Sequence, residues 1–249
     1  MWLRPRLIPT LVAATTAITC VRLGIWQLHR YGESAELSAR MLDAWAAAPL
    51  VGLDRSDDPS RAWRQGEVTG RWVPGTLAVV RGTPVAEEPG YQLVTLLEQA
   101  DGVRVLVDRG WVPTELPDDP AAAWLPAGDV TVSGLVVPIA GSAELRPEPG
   151  PGGVARWPLE MDLLWGVFPR ALGLPFASMA AVSGPDVAPF ALRAGPRFDD
   201  ESQRRLGPLP VAGYVLPLPQ THHLSYAAQW FGFAGLALLA WAWTSREVS

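Results

Sequence analysis

Lysine is absent from this chain: all 20 of its basic residues are arginine. Arg, Ala, Gly and Pro are plentiful, and codon bias accounts for the absence without any functional demand. Cysteine occurs once, at Cys20 inside an apolar run. A single thiol excludes an internal disulfide, so a domain outside a membrane must rely on its core, and packing is the expected role of Cys20. Histidine is scarce too, with none between Gly32 and Gln220. That stretch therefore lacks His, Cys and Lys together. It cannot supply a Ser–His or Cys–His nucleophile, a Schiff-base lysine, or a His- or Cys-ligated metal. With 25 acidic side chains against 20 basic ones, no broad basic surface invites nucleic acid.

What remains for catalysis is carboxylates. Glu87-Glu88 and Asp118-Asp119 sit beside Pro, and Asp199-Asp200 follows shortly after Gly195-Pro196, where solvated turn residues are the ordinary explanation. A hydrolytic pair is the competing one. No Gly-rich stretch has the strand–turn–helix setting that a phosphate cradle needs. The middle of the chain reads as a binding or docking module, not an enzyme.

Two apolar runs flank it. Leu7 to Val21, extended to Trp26 or Leu28, reaches about 20 residues, enough to cross roughly 30 Å of hydrocarbon. Arg22 and Trp26 then fall near the outer boundary, where an arginine stem and an indole both suit the headgroups. A signal peptide is the alternative, but no clean Ala-x-Ala site follows. Leu224 to Trp243 is a run of 20 residues without a charge. The expected organisation is a tail at 1–6, a transmembrane helix at 7–28, an outer domain at 29–222, a second helix at 223–243 and a tail at 244–249. Arg4 and Arg6 favour the cytoplasm for both termini, and a bacterial inner membrane is the expected location.

Within the outer domain, Ser34 to Ala48 predicts a helix capped by Ser34 and ended by Pro49. Then the period shortens. Thr76–Arg81, Tyr91–Leu97, Val103–Trp111 and Val130–Val137 predict strands, with Ala100-Asp101-Gly102 turning a hairpin. Glu160 to Leu172 predicts another helix, and Arg146–Gly153 and Gly184–Pro210 read as Pro- and Gly-rich loops. The fold class is thus a membrane protein with two transmembrane helices flanking one mainly antiparallel β-domain, a sandwich or small barrel with one or two covering helices.

All three histidines, His29, His222 and His223, lie at the outer ends of the spans. Arg22, Trp26, Arg30, Tyr226, Gln229 and Trp230 accompany them. Helical spacing groups His223, Tyr226 and Trp230 on one face, and Arg22, Trp26 and His29 on another. One reading is an interfacial belt that anchors helix ends. The other is a site for a flat, apolar ligand with acidic tails. Haem has that chemistry: imidazole ligates iron, aromatic rings flank the macrocycle and Arg pairs with propionates.

Three segments carry a resemblance. Leu23-Gly24-Ile25-Trp26-Gln27-Leu28-His29-Arg30, Val107-Asp108-Arg109-Gly110-Trp111-Val112-Pro113 and His223-Leu224-Ser225-Tyr226-Ala227-Ala228-Gln229-Trp230-Phe231 resemble, in order, the signatures of the surfeit locus protein 1 (Shy-type) family; Val68-x-Gly70-x-Trp72 resembles its early strand. The resemblance implies an assembly factor for haem–copper cytochrome c oxidase that handles haem a, with the oxidase catalytic subunit and other assembly factors as partners. It implies His223 as the haem iron ligand, with His222 beside it as the alternative. A non-haem-binding scaffold for an assembly intermediate is the other expectation. Arg109-Gly110-Trp111 has two readings: Gly110 permits a bulge or close approach that lets Trp111 close against the membrane or a partner, or Trp111 is core and Arg109 its solvent-facing neighbour.

Overall fold

The computed structural model describes residues 7–81, 84–139, 146–149, 154–157, 175–199, 203, 205–216 and 221–245. Its first element, α1 (Leu7–Ala46), is continuous over 40 residues. The span and the Ser34–Ala48 helix expected to follow it are therefore one element, and Ser34 lies inside it, not at a cap. The reason is local. Nothing between His29 and Ser34 breaks a helix except Gly32, which costs only about 1 kcal/mol in a helix interior. At about 1.5 Å per residue, α1 is roughly 60 Å long, about twice the hydrocarbon thickness. The last helix, α4 (His222–Thr244), has 23 residues. Both helices are long and apolar enough to cross a membrane.

The chain divides into two units, Met1–Ala39 with Leu218–Ser249, and Arg40–Pro217. In the first, α1 and α4 run antiparallel along a seam of small residues. Ala17 and Cys20 meet Ala234 and Trp230, and the Trp241 indole donates to the Thr10 hydroxyl at 2.9 Å. Cys20 is buried in this packing. Small side chains bring helices close where lipid supplies no hydrophobic drive for association.

The second unit is built on strands β1 (Leu50–Val51), β2 (Gln65–Trp72), β3 (Ala78–Arg81), β4 (Gly90–Glu98), β5 (Arg104–Pro113), β6 (Asp129–Pro138), β7 (Glu148–Pro149), β8 (Ala155–Trp157) and β9 (Phe190–Ala194), with a short helix α2 (Pro120–Trp124) between β5 and β6. They form one sheet in the order β1-β2-β6-β9-β5-β4-β3-β8-β7. The end of β2 also pairs with β4, through Arg71↔Glu98 and Trp72↔Leu97. Strands β2, β6, β9, β5 and β4 thereby close into a ring, so the domain is a small barrel. The ladders inside it are antiparallel except β5–β9, which is parallel.

Side chains alternate between two cores along these strands. Val68, Leu97, Val105, Val107, Val136 and Leu192 fill one. Their neighbours in sequence, among them Leu96, Leu106, Leu135 and Ala191, pack beneath Phe176 and Met179 of α3 (Phe176–Ser183) and Leu42 and Trp45 of α1. Burial on both faces explains why β4 and β5 read as nearly unbroken apolar runs rather than alternating ones. The end of α1 is also tied in by polar contacts: the Trp45 indole donates to the Tyr214 hydroxyl at 2.9 Å, and Arg197 stacks over the Trp45 ring.

The hairpin at Ala100-Asp101-Gly102 forms as expected, with Gly102 at φ +80° and the Asp101 carboxylate accepting from the Val103 amide. The four expected strands are β3, β4, β5 and β6. Strand β9 is a correction, because Gly184–Pro210 read as a loop. Five residues between Pro189 and Gly195 carry too short a pattern to declare a strand; its state comes from β6 on one side and β5 on the other. Helix α3 was likewise not expected, and β7 lies within the expected Arg146–Gly153 loop. The helix expected at Glu160–Leu172 lies outside the described residues.

Candidate functional site

The first and third signature segments meet in the helical unit, and each supplies what the other needs. Gly24 is buried in the seam. A Cβ placed there would lie 2.7 Å from the Phe231 ring, so only glycine admits that ring at its present depth. One turn further, the Gln27 carbonyl oxygen lies 2.6 Å from Nδ1 of His223. A carbonyl only accepts, so His223 donates to it. Sequence reasoning quoted Gln27 inside its motif but did not place it in the site. The signal was available: Gln27 is i+3 from Gly24, on the face that also carries Ala17 and Cys20.

His222 and His223 have ring centroids 4.4 Å apart, tilted by 39°, and His222 meets Tyr226 edge-on at 6.0 Å. His222 and Tyr226 are exposed, while His223 is half-buried. Trp230 sits deeper, half-buried in the seam, against Ala17, Cys20 and Ala234 and edge-on to Phe233. His223 and Trp230 thus share the seam as their spacing predicts, and Tyr226 stands outside it beside His222. On α1, Arg22, Trp26 and His29 lie on the exposed side, with Trp26 52% exposed. They share the depth of the histidines without sharing the seam. Arg30 is half-buried and pairs with Glu33 at 2.8 Å. The expected seven-residue cluster is therefore one ring group, His222, His223 and Tyr226, backed by Gln27 and Trp230. Arg22 and Trp26 face elsewhere, because 3.6 residues per turn rotate positions 22 and 26 away from 24 and 27.

Among the described residues, no three His, Cys, Asp or Glu side chains gather as metal ligands. An iron held by a macrocycle asks less of the protein, since one or two axial donors suffice. His223 meets that requirement: its imidazole is half-buried, and its Nδ1 is engaged by a neighbouring side chain.

The middle signature lies on β5. Its register against β4 shifts, pairing Leu93 with Gly110 and Val94 with Asp108, so Arg109 is an extra, bulged residue. Gly110 takes φ +112°, and a Cβ there would lie 2.3 Å from the Val211 carbonyl oxygen. Both facts require glycine. Trp111 and Val211 exchange backbone hydrogen bonds of 3.0 and 2.8 Å. The Trp111 side chain is only 2% exposed and packs with Val85 and Val211. Of its two readings, burial selects the core residue. Arg109 is not solvent-facing: its guanidinium lies 4.6 Å above the Trp72 ring, donates to the Trp124 carbonyl, and is pushed by burial down to about 10. Asp108, 2% exposed, accepts from Arg193 at 3.0 Å, Gln92 at 3.2 Å and the Gly110 amide at 3.1 Å. The motif is a folding device in this geometry. It anchors the 211–216 segment, the last described stretch before α4, on the bulge of β5.

A β-barrel domain inserted between two apolar helices of membrane length, with paired signatures where those helices meet, defines a two-span membrane protein. Residues 14–235 match the SURF1 family, and the chain belongs to it. Its members are known as oxidase assembly factors. Similar chains include uncharacterized SURF1-like proteins of Mycobacterium bovis and Mycobacterium tuberculosis, 25% identical over 232 residues, covering 91% of this chain and 78% of each relative.

Proposed function

We propose that this protein is a bacterial inner-membrane assembly factor for a haem–copper cytochrome c oxidase. On this reading it is not an enzyme. It carries haem a at the outer ends of α1 and α4 and passes it to the oxidase catalytic subunit, with both termini cytoplasmic and the barrel outside. Family membership supports the oxidase partner. The observation that carries the haem reading is the half-buried His223, whose Nδ1 is bonded to Gln27 of the other helix. Haem supplies iron with an open axial position, and His223 would fill it. His222 and Tyr226 would flank the ring system, and Arg30 would be available to a propionate at the cost of its pairing with Glu33. Arg22 and Trp26, on the outward side of α1, are assigned to the membrane boundary.

Two measurements test this. Deleting the protein should lower the haem a content and activity of the oxidase; an unchanged oxidase would sink the assembly reading. A visible spectrum of the detergent-purified protein, from cells that make haem a, should show bound haem in wild type and none in His223→Ala. A folded wild type without haem would move the reading to a scaffold that holds an assembly intermediate. The specific observation favouring that alternative is the seam itself, in which Gly24–Phe231 and Gln27–His223 also serve simply to join two helices.

A further inference from the structure

We propose that Arg109 is the docking point for a carboxylate side chain of a partner protein, so that a cation left unpaired inside this chain is paired across an interface. The identity of that partner, the oxidase catalytic subunit, rests on the assembly reading; the docking chemistry rests on the barrel alone.

Pairing is the habit of arginine in the barrel unit. Arg55, Arg61, Arg71, Arg104, Arg156 and Arg193 each meet a carboxylate within 3.0 Å. Arg55, Arg71 and Arg156 do so at exposed positions, where a pair contributes little. Arg109 is half-buried, where a counter-charge matters far more. Yet among the described residues no carboxylate lies within ion-pair distance of it. Burial pulls its pKa down to about 10 and no neighbouring acid raises it again, so the guanidinium is still a full cation at neutral pH.

The fold nevertheless aims this cation. Arg109 is the extra residue of the β5 bulge, and bulges re-aim side chains. Its guanidinium lies 4.6 Å above the Trp72 ring, and Nη1 donates to the Trp124 carbonyl. These contacts hold the plane of the group without neutralising it. Its other two nitrogens make no hydrogen bond among the described residues and are not sealed from solvent. A guanidinium stacked by its face keeps its edge for donation, and a carboxylate meets that edge with two parallel bonds. Stability alone would be served as well by a methionine, which fills similar space with no charge to desolvate. Arginine backed by tryptophan is also the chemistry of interface anchors. In a chain of net charge −5, a free anion gains little from long-range attraction, whereas a carboxylate on a docked surface arrives with other contacts.

The test uses the full chain in detergent, purified from cells that make the oxidase. Arg109→Met should lower the recovery of the catalytic subunit with it by at least about 10-fold, while the unfolding midpoint of the barrel stays level or rises. A second variant exploits the absence of lysine from this chain. Arg109→Lys keeps the charge and introduces the only ε-amine, which a zero-length carbodiimide joins to a carboxylate in contact with it. Peptide mass spectrometry should find that amine coupled to an Asp or Glu of the catalytic subunit. Arg71→Lys is the positive control, since Asp129 stands 2.6 Å from Arg71 and should couple within the chain. With that control working, coupling of the Arg109→Lys amine to an acid of this chain, to a lipid carboxylate or to nothing overturns the proposal. Unchanged recovery in Arg109→Met also overturns it, and a lowered midpoint beside it would return Arg109 to the fold. Should Arg109→Met fail to fold, the coupling decides alone. Coupling to an acid of a different membrane protein, in cells whose oxidase survives deletion of this chain, upholds the docking chemistry and overturns the assembly reading instead.

Discussion

Each unit of this molecule contains a polar pairing between positions distant in sequence, and the two are built to opposite ends. In the barrel, Asp108 is charged, 2% exposed and bonded three ways by Arg193, Gln92 and the Gly110 amide. Between the helices, Gln27 and His223 form one half-buried contact between groups that carry no fixed charge. The first spends three contacts on holding strands β4, β5 and β9 together. The second is a single contact between two helices, made by an imidazole whose chemistry is that of a metal ligand. A buried ion pair serves the fold, whereas a neutral imidazole at a helix end can serve chemistry.

Changes that break the barrel network should have the largest effects. Arg193→Met leaves the Asp108 carboxylate without its cation and should destabilise the domain by about 3–5 kcal/mol, read as a fall in the denaturation midpoint or as failure to accumulate. Adding Asp108→Leu to it should recover part of that loss; no recovery would mean the network is not the cause. Next comes Gly110→Ala, which forces a side chain into left-handed backbone against the Val211 carbonyl. A loss of about 1–3 kcal/mol is expected, accompanied by a change in the near-ultraviolet signal of Trp111. His223→Ala should act oppositely, abolishing haem while the unfolding midpoint of the barrel moves by no more than about 0.5 kcal/mol. A large shift there would erase the division of labour between the units.

The smallest effect belongs to a surface group. Asp54 accepts from Arg61 twice, at 2.7 Å each, and from the Ser56 amide. These bonds hold its carboxyl below the usual carboxylate value, Arg61 being the main cause. Because the folded-state value is depressed, the stabilisation is present above the unfolded value of about 3.9 and is lost as pH falls through the folded one. Asp54→Asn should therefore cost at most about 1 kcal/mol near neutrality and nothing once both states are protonated, as thermal melts at the two extremes would show.

Much of the organisation was legible because it is local. Two apolar runs of membrane length need no partner to be recognised, and the Asp101-Gly102 turn and the strands beside it announce themselves through turn chemistry and β-rich composition. The errors lie where a neighbour decides. Strand β9 is five residues between a proline and a glycine, and only its two flanking strands make it part of the barrel. The continuous α1 was misread because Ser34 was taken as the cap of a separate helix, although helix propagation across the preceding glycine is inexpensive. The outer-end histidines were found by type and position, and spacing put Arg22, Trp26 and His29 on one face of the first helix; which face of that helix meets the other is set by packing, and it is the face of Gly24 and Gln27.

By itself, then, the order of residues determined the two spans, the hairpin, the enrichment of imidazole at one membrane depth and the three signatures that place the chain in its family. These depend on composition, period and spacing, which are properties of short stretches. Only the tertiary structure decided that the sheet closes between Trp72 and Leu97, that Trp111 is core, that Asp108 answers Arg193 and that Gln27 answers His223. Gln27 and His223 are 196 positions apart. No local preference specifies such a pairing; it exists because the packing of two helices brings a carbonyl oxygen and a ring nitrogen within hydrogen-bonding distance.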